Sequence, residues 1–596
     1  GAITSIRRCF DLVEILKGGS SALYGSDAIG GVVSMQTLQA EDLLKERDYG
    51  GLVRTQHFSV NDGFAGQIGG AVRSGDFEFL LLYAGRTGHE TKNNGSIPPN
   101  PVDFQSQAIL ANANYIHGEH RFELTMENYQ RETDIDARSA TTSTFKVFDK
   151  SVLNFEQIQR QRVGLKWKYN FASTWIDHLE SHLYLQKADT ESLNQSRAND
   201  VTIGGVTIPG RSRDQKIQFS TDLLGVSSLA RKEAYTGEIK HNFIGGIDLS
   251  REDSENRFQR EDTAMPTVKN RISFAPSTTS RYGLFFQDEL HWGERLALIP
   301  GLRADYHQID PSVSEDYLER LAALDQNTIT PPEAYDNFTL SPRLDINFKT
   351  TEATRLYAGY ARGIRNPSAE ELSMIFDHPP AGGSPVGAIT IPNPKLKEET
   401  SHSFKAGYKG EAEAGRFELA GFYTFYKDYI ENSVRTGRVD DDGRDILTTL
   451  NRGKSIIYGF EASGEWNLGS SISRLDGISV GLSAGRAIGI NRTEDTWLNS
   501  AEPFKVVSWL GYDDPAEKYG LRMTGIYSAA VNHVDDTTNQ GKLFRPDAWF
   551  TMDLSVYWKP TDTFTVNAGL NNIFDEKYWS WSSARRGWAS RWQCDG

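Results

Sequence analysis

The sequence predicts an all-β fold, a large antiparallel transmembrane β-barrel, and three observations carry that reading. No apolar run reaches the ~18 residues of a membrane-spanning helix, yet segments of about ten residues with alternating apolar and polar character recur along the chain. Short turns alternate with long polar stretches near 86–107, 251–280, 307–340, 365–400 and 530–548, as in a barrel whose two rims differ. The chain also carries 30 Phe, 24 Tyr and 12 Trp, many near segment ends, which suits aromatic girdles at the two membrane surfaces. A mean hydropathy of −0.50 is compatible with this, because only one face of each strand meets lipid.

From the N-terminus, "VEILKGGSSALYGSDAIGGVV" reads as a strand, a Gly/Ser turn and a second strand. Its glycines permit positive φ and close backbone approach. The runs "FEFLLLYAGR", "RFELTMENYQ", "SHLYLQKA", "RYGLFFQDEL", "LALIPGLRADY", "RLYAGYARG", "RFELAGFYTFYKDYI" and "YGFEASGEW" follow as strands. Near the end, "WFTMDLSVYWKP" puts Phe550, Met552, Leu554, Val556 and Trp558 on one face and Thr551, Asp553 and Ser555 on the other. After the turn-like "KPTD", Phe564, Val566, Ala568 and Leu570 repeat the pattern, so the two segments predict a hairpin. A soluble propeller is the alternative β architecture, but the repeat of about 40–50 residues that it requires is not found.

Composition narrows the partners. With 64 basic against 79 acidic residues the net charge is −15, and the basic residues form no stripe of the kind phosphate contacts need, so nucleic acid is not an expected partner. Cys9 and Cys594 lie at opposite ends and give neither a disulfide framework nor a C-x-x-C motif. The chain opens at Gly1 with neither an initiator Met nor a signal-peptide pattern. Glu370 and Glu371 are adjacent and, read as strand residues, point to opposite faces, which makes a poor acid/base pair. With no nucleophile–base constellation and no phosphate loop, the chain reads as non-enzymatic.

The N-terminal stretch resembles the end of the plug domain of TonB-dependent outer-membrane receptors, matched by Glu14, Lys17, Gly18, Leu23, Tyr24, Gly25, Ala28, Gly30, Gly31 and Val32. "GLNNIFDEKYW", residues 569–579, resembles the penultimate-strand motif of the same family. The resemblance covers residues 11 to about 581. It implies a barrel of about 22 strands in a Gram-negative outer membrane, with residues 1–45 the C-terminal part of a plug and 46–596 the barrel with long extracellular loops. It also implies a monomer energised through TonB and its inner-membrane motor complex. Both ends depart from the family pattern: most of the plug and the box gripped by TonB are not present, and "SSARRGWASRWQCDG" shows no strand alternation where a closing strand is expected. That departure predicts poorly paired first and last strands.

Within the family, "GIRNPSAEEL" resembles the FRAP box of haem receptors, retaining Arg365 and Pro367, with Ile364 and Asn366 in place of its Phe and Ala. "PNPKLKEETS" resembles their NPNL box, retaining Asn393, Pro394 and Leu396, with Lys395 in place of an Asn. The resemblance implies that a loop histidine between the boxes binds haem iron. His378 lies eleven residues after Pro367 and fifteen before Asn393. Neutral imidazole is a good ligand for haem iron and stays largely neutral at pH 7; Pro379 and Pro380 restrict its backbone, while Asp377 either orients the ring or is simply solvated. Against the ligand reading stands the ordinary one of a solvated loop histidine. The implied function is uptake of haem, free or from a haemoprotein, as cargo with no catalytic cofactor. A ferric siderophore or other metal-chelate receptor is the alternative, since similar boxes flank loops there too; a passive porin or adhesin is a third. The other histidines, among them His307, His402 and His533, take the default reading of surface, girdle or lumen residues.

Overall fold

The computed structural model describes residues 10–19, 21–92, 98–138, 149–171, 173–203, 205–263, 272–322, 330–378, 387–535 and 543–585. Pro379, Pro380, Cys9, Cys594 and the tail from residue 586 lie outside the described residues.

Alternation decides the architecture. In Phe77–His89, Glu78, Leu80, Leu82 and Ala84 are buried, while Phe79, Leu81 and Tyr83 are 46%, 62% and 44% exposed. The same outward display of apolar side chains recurs far round the wall, at Leu284, Phe286, Leu302, Phe338 and Leu340. An apolar band of this size on the outside of a β-structure is stable only against lipid. Among the described residues no helix is long and apolar enough to cross a membrane, so the crossing is made by strands.

One sheet holds twenty-four strands arranged round a barrel. Three short ones, Phe376–His378, Ala388–Ile391 and Thr496–Trp497, belong to loops. The other twenty-one form the wall, from Tyr49–Phe58 to Phe564–Leu570, with each strand antiparallel to the next. The hairpin read at the C-terminus is present, with Thr551 4% exposed against 54% for Trp558. Its turn falls later than expected, because Lys559 and Pro560 still belong to the strand Trp549–Thr561.

Strands are longer than the lipid requires. Ser212–Thr236 and Gly415–Val439 have 25 residues each, whereas about 9–11 suffice to cross. The stretches read as loops at 251–280 and 307–340 therefore begin as strand, in Ile239–Asp262 and Leu296–Pro311. Above the membrane the ladder still satisfies the backbone, while charged residues such as Asp253, Glu255 and Arg257 erase the apolar alternation that marks a strand in sequence.

The cyclic order brings Phe564–Leu570 beside Tyr49–Phe58. Among the described residues no residue-to-residue register joins these two, unlike the other wall seams, and every residue of Phe564–Leu570 is exposed. Parity sets the sense of this seam: in an odd set of alternating strands the first and last run the same way, so they could meet only in parallel. Residues 582–585 make no strand; the short helix Trp581–Ala584 buries Trp581, whose Nε1 donates to the Asn499 carbonyl at 2.9 Å.

Ahead of the wall, Phe10–Lys17 and Gly31–Thr37 form an antiparallel hairpin, with a helical turn at Ser21–Tyr24 between them. That turn packs on the lumen side of the wall near Arg303. Gly25 has φ +79°, and a Cβ there would lie 3.1 Å from the Arg303 guanidinium, so glycine answers both a conformational and a steric need. The helix Ala40–Leu44 buries Ala40 and Leu44 against Ala71, Leu80, Leu82, Ala84 and Leu110, the lumen face of the first strands.

Candidate functional site

Both boxes and His378 lie in one loop. Thr354–Arg365 pairs with Glu399–Ala412 from Thr354↔Gly410 to Arg365↔Glu399, so residues 366–398 rise from a closed strand pair. At the base, Arg365 forms an ion pair with Glu371, and its Nη1 lies 3.4 Å from Glu399. Glu371 in turn accepts from the Ser368 N–H at 2.9 Å, while the Ser368 hydroxyl accepts from the Glu371 N–H at 3.2 Å. This capping box starts the short helix Ala369–Ser373. Glu370 and Glu371 are thus helical rather than strand residues; Glu371 is spent on Arg365 and Ser368.

The second box closes on the first. Asn393 donates its backbone N–H to the Leu372 carbonyl at 3.2 Å and its side-chain amide to the Thr449 carbonyl at 2.8 Å. Leu396 is 3% exposed and packs with Ile309, Ala369 and Leu372. Pro367 is fully buried and Pro394 half-buried. Arg365, Pro367, Asn393 and Leu396 therefore meet at the loop base.

His378 stands apart from them. It ends Phe376–His378, which pairs with Ala388–Ile391, and that strand pairs in parallel with Asp445–Thr448 of the wall. The His378 Nε2 lies 2.8 Å from the Thr390 hydroxyl, and the Phe376 ring meets the imidazole edge-on at 4.9 Å. Half-burial holds the imidazole below its ordinary pKa, against a weaker opposing effect of Asp377. Asp377 is ion-paired, with its side chain 32% exposed. Its carboxylate meets Arg320 at 3.1 Å and Arg444 at 3.2 Å. Loops from elsewhere brace the hairpin: Tyr317, fully buried, donates to the Ser373 carbonyl at 2.6 Å, and Ala275, Leu321, Ile375, Ile389, Ile391 and Ile446 complete that core.

Beneath the loop, the first box grips the N-terminal segment. Ser21 Oγ accepts from the Ile364 N–H at 3.1 Å, Ser26 Oγ from the Asn366 N–H at 3.2 Å, and the Ile364 carbonyl from the Asp27 N–H at 3.0 Å. Asn366 Oδ1 also accepts from Tyr335 at 3.0 Å and Asn337 at 2.8 Å. Asn366, one of the two departures from the box, thus anchors three partners. Burial raises the Asp27 carboxyl above its usual range, with Arg281 and Arg365 opposing.

The sequence reading placed His307 among surface, girdle or lumen residues and gave no sign of its isolation. It faces the lumen, is 5% exposed, lies edge-on to Tyr335 at 6.2 Å, and neither ring nitrogen has a hydrogen-bond partner. No local pattern marks it, because its isolation is a property of its neighbours. An unpaired buried polar group costs about 1–3 kcal/mol. His307→Leu is therefore expected to leave stability unchanged or raise it by up to about 1 kcal/mol, read from denaturant unfolding; a loss of that size would show the ring to be structurally required. Of the remaining histidines, His402 Nδ1 lies 2.9 Å from the Tyr360 hydroxyl and His533 packs on Trp497 at 4.3 Å. Among the described residues no group of three His, Cys, Asp or Glu side chains could hold a bare metal ion.

The family profile described as "TonB dependent receptor-like, beta-barrel" matches residues 85–573. The chain belongs to the TonB-dependent receptor family. This receptor is accordingly an outer-membrane protein. It is 23% identical over 98% of its length to hemoglobin-haptoglobin utilization protein B of Neisseria meningitidis, covering 79% of that protein. Among solved structures it superposes on the copper transporter OprC with TM-score 0.73 and 17% identity, covering 96% of this receptor and 81% of OprC. The Serratia marcescens hemophore receptor HasR, solved with its hemophore HasA and heme, gives TM-score 0.70 at 16% identity, over 95% of this receptor and 84% of HasR. A copper transporter and a hemophore receptor share the fold, so the fold leaves the cargo open.

Proposed function

We propose that this receptor takes up haem, free or delivered by a haemoprotein, with His378 as an axial ligand of the iron. The observation that carries this is the likeness, along 98% of the chain, to a protein named for hemoglobin-haptoglobin utilization. The loop supports it. The Thr390 hydroxyl can accept the Nε2–H proton, which leaves the Nδ1 lone pair for iron, the arrangement in which a ligating imidazole is oriented by its other nitrogen. Arg365, Pro367, Asn393, Pro394 and Leu396 serve as the base that holds the hairpin rather than as ligands. Residues 1–45 act as the C-terminal part of a plug and 46–596 as barrel and loops; TonB supplies the energy by pulling on the plug.

Growth with haemoglobin as sole iron source, in a host lacking its own haem receptors, tests this reading with the receptor supplied on a plasmid. Haemoglobin-dependent growth that disappears when TonB is deleted is expected. Growth on a ferric siderophore with none on haemoglobin would put the metal-chelate reading in its place.

A further inference from the structure

On the opposite side of the barrel, two arginines near the outer rim are left without counter-charges. The register sets Arg86 opposite Ser106 and Ser106 opposite Arg131, so the three lie in one row across adjacent strands. Directly paired residues share a face. Arg86 continues the lumen face of Leu80, Leu82 and Ala84, and Arg131 that of the buried Tyr129 and Thr133. The row lies three residues below the long connection that follows His89.

Elsewhere on the lumen wall arginines are neutralised: Arg303 by Asp248 and Asp305, Arg365 by Glu371 and Glu399. Among the described residues neither Arg86 nor Arg131 has a carboxylate within 4.0 Å, and the Nε–H of each is buried without an acceptor. What fixes them is aromatic. Both guanidinium carbons lie 5.4 Å from the centre of the Phe104 ring, and Arg86 lies 5.3 Å from that of Phe58. Gly88 makes room for this stack, since a Cβ there would come within 2.8 Å of the Phe104 ring. Beside it Asn61 is 8% exposed with its Oδ1 unpartnered.

Guanidiniums held by ring faces keep their planar forks of N–H donors free at the edge. We propose that Arg86 and Arg131, positioned by Phe104 and Phe58, form an anion-binding site that takes the carboxylates of a planar organic acid entering the lumen. A guanidinium stacks on a flat π-system and binds carboxylate bidentately, so a flat dicarboxylate suits it better than a compact inorganic anion. Only the choice of a porphyrin as that acid rests on the haem reading.

The test uses metal-free protoporphyrin IX, which has both carboxylates and no iron for His378, and follows its fluorescence on addition of purified receptor. Arg86→Gln/Arg131→Gln is expected to weaken binding about tenfold or more, the loss of a charge-assisted hydrogen bond. His533→Ala, at a ring that packs on Trp497, should bind the metal-free porphyrin as the unsubstituted receptor does. The dimethyl ester, equally flat but uncharged, should bind the unsubstituted receptor no better than the acid binds the double variant. Binding is normalised to the fraction running as folded barrel on a semi-native gel. An unchanged affinity in the double variant, or an ester that binds as tightly as the acid, overturns the proposal. A receptor that binds haem through His378 but ignores metal-free porphyrin overturns this site and leaves the haem reading standing. Arginine-dependent binding of the porphyrin by a receptor that ignores haem iron does the reverse.

Discussion

His378→Ala is expected to weaken haem binding by at least about tenfold and to change the Soret spectrum of what remains. Partners that merely orient a metal ligand are worth about 10–100-fold in affinity, and His378 would be the ligand itself. Thr390→Val, which keeps the imidazole but removes its 2.8 Å partner, should fall within that second range. A loop histidine in solvent could be replaced within about 0.5 kcal/mol. His378 is instead half-buried and bonded to Thr390, itself 1% exposed, so its removal should loosen the hairpin by about 1 kcal/mol. Protonation gives an independent check. Burial lowers the pKa of the folded imidazole, so the neutral, iron-binding form persists as the pH falls. Haem affinity should be level from pH 8 to about the ordinary histidine value of 6.5 and decline only below it. Hairpin stability should move with the same sign, because the loosened hairpin protonates first and loses stability as pH falls below that value. Unchanged affinity and spectrum in His378→Ala, with His402→Ala and His533→Ala equally silent, would remove the axial assignment. A decline beginning above pH 7 would contradict the neutral buried ring.

Arg365→Ala should have the largest effect on stability, about 3–5 kcal/mol at the loop base, because it strands two buried carboxylates. The Glu371 and Glu399 side chains are 8% and 5% exposed. With the ion pair gone, Glu371 has reason to leave Ser368 for water, and the helix Ala369–Ser373 loses its capping box. The strain would reach the N-terminal segment through Asn366, which holds Ser26. Faster proteolysis within 366–398 and an earlier denaturation midpoint are the expected readouts. Arg365→Ala combined with Glu371→Gln and Glu399→Gln should be milder than Arg365→Ala alone, since no charge is then buried unpaired. A single-variant loss below about 1 kcal/mol would show that water already screens the cluster.

The wall was legible from the residues alone. Period-two alternation is a local property, and lipid outside with a polar lumen inside makes it the condition for a strand to exist in a membrane at all. Hence Phe550 to Trp558 and the runs before them could be placed on strands and faces directly. Two boxes and a histidine between them were legible for a related reason, since they too are short contiguous stretches. The tertiary structure alone decided what those residues touch. Asp377 is held by Arg320 and Arg444, 57 and 67 residues away in sequence. Asn366, a departure from its box, meets Ser26 from a segment 340 residues earlier. Glu371 turned from a strand residue into a cap because Ser368 and Arg365 offered it partners. The isolation of His307 and the uncompensated Arg86 and Arg131 likewise exist only relative to neighbours on other strands. Hydrogen bonds and ion pairs act over a few ångströms of space regardless of sequence distance, so a loop's chemistry is set by whichever strands the barrel brings beside it.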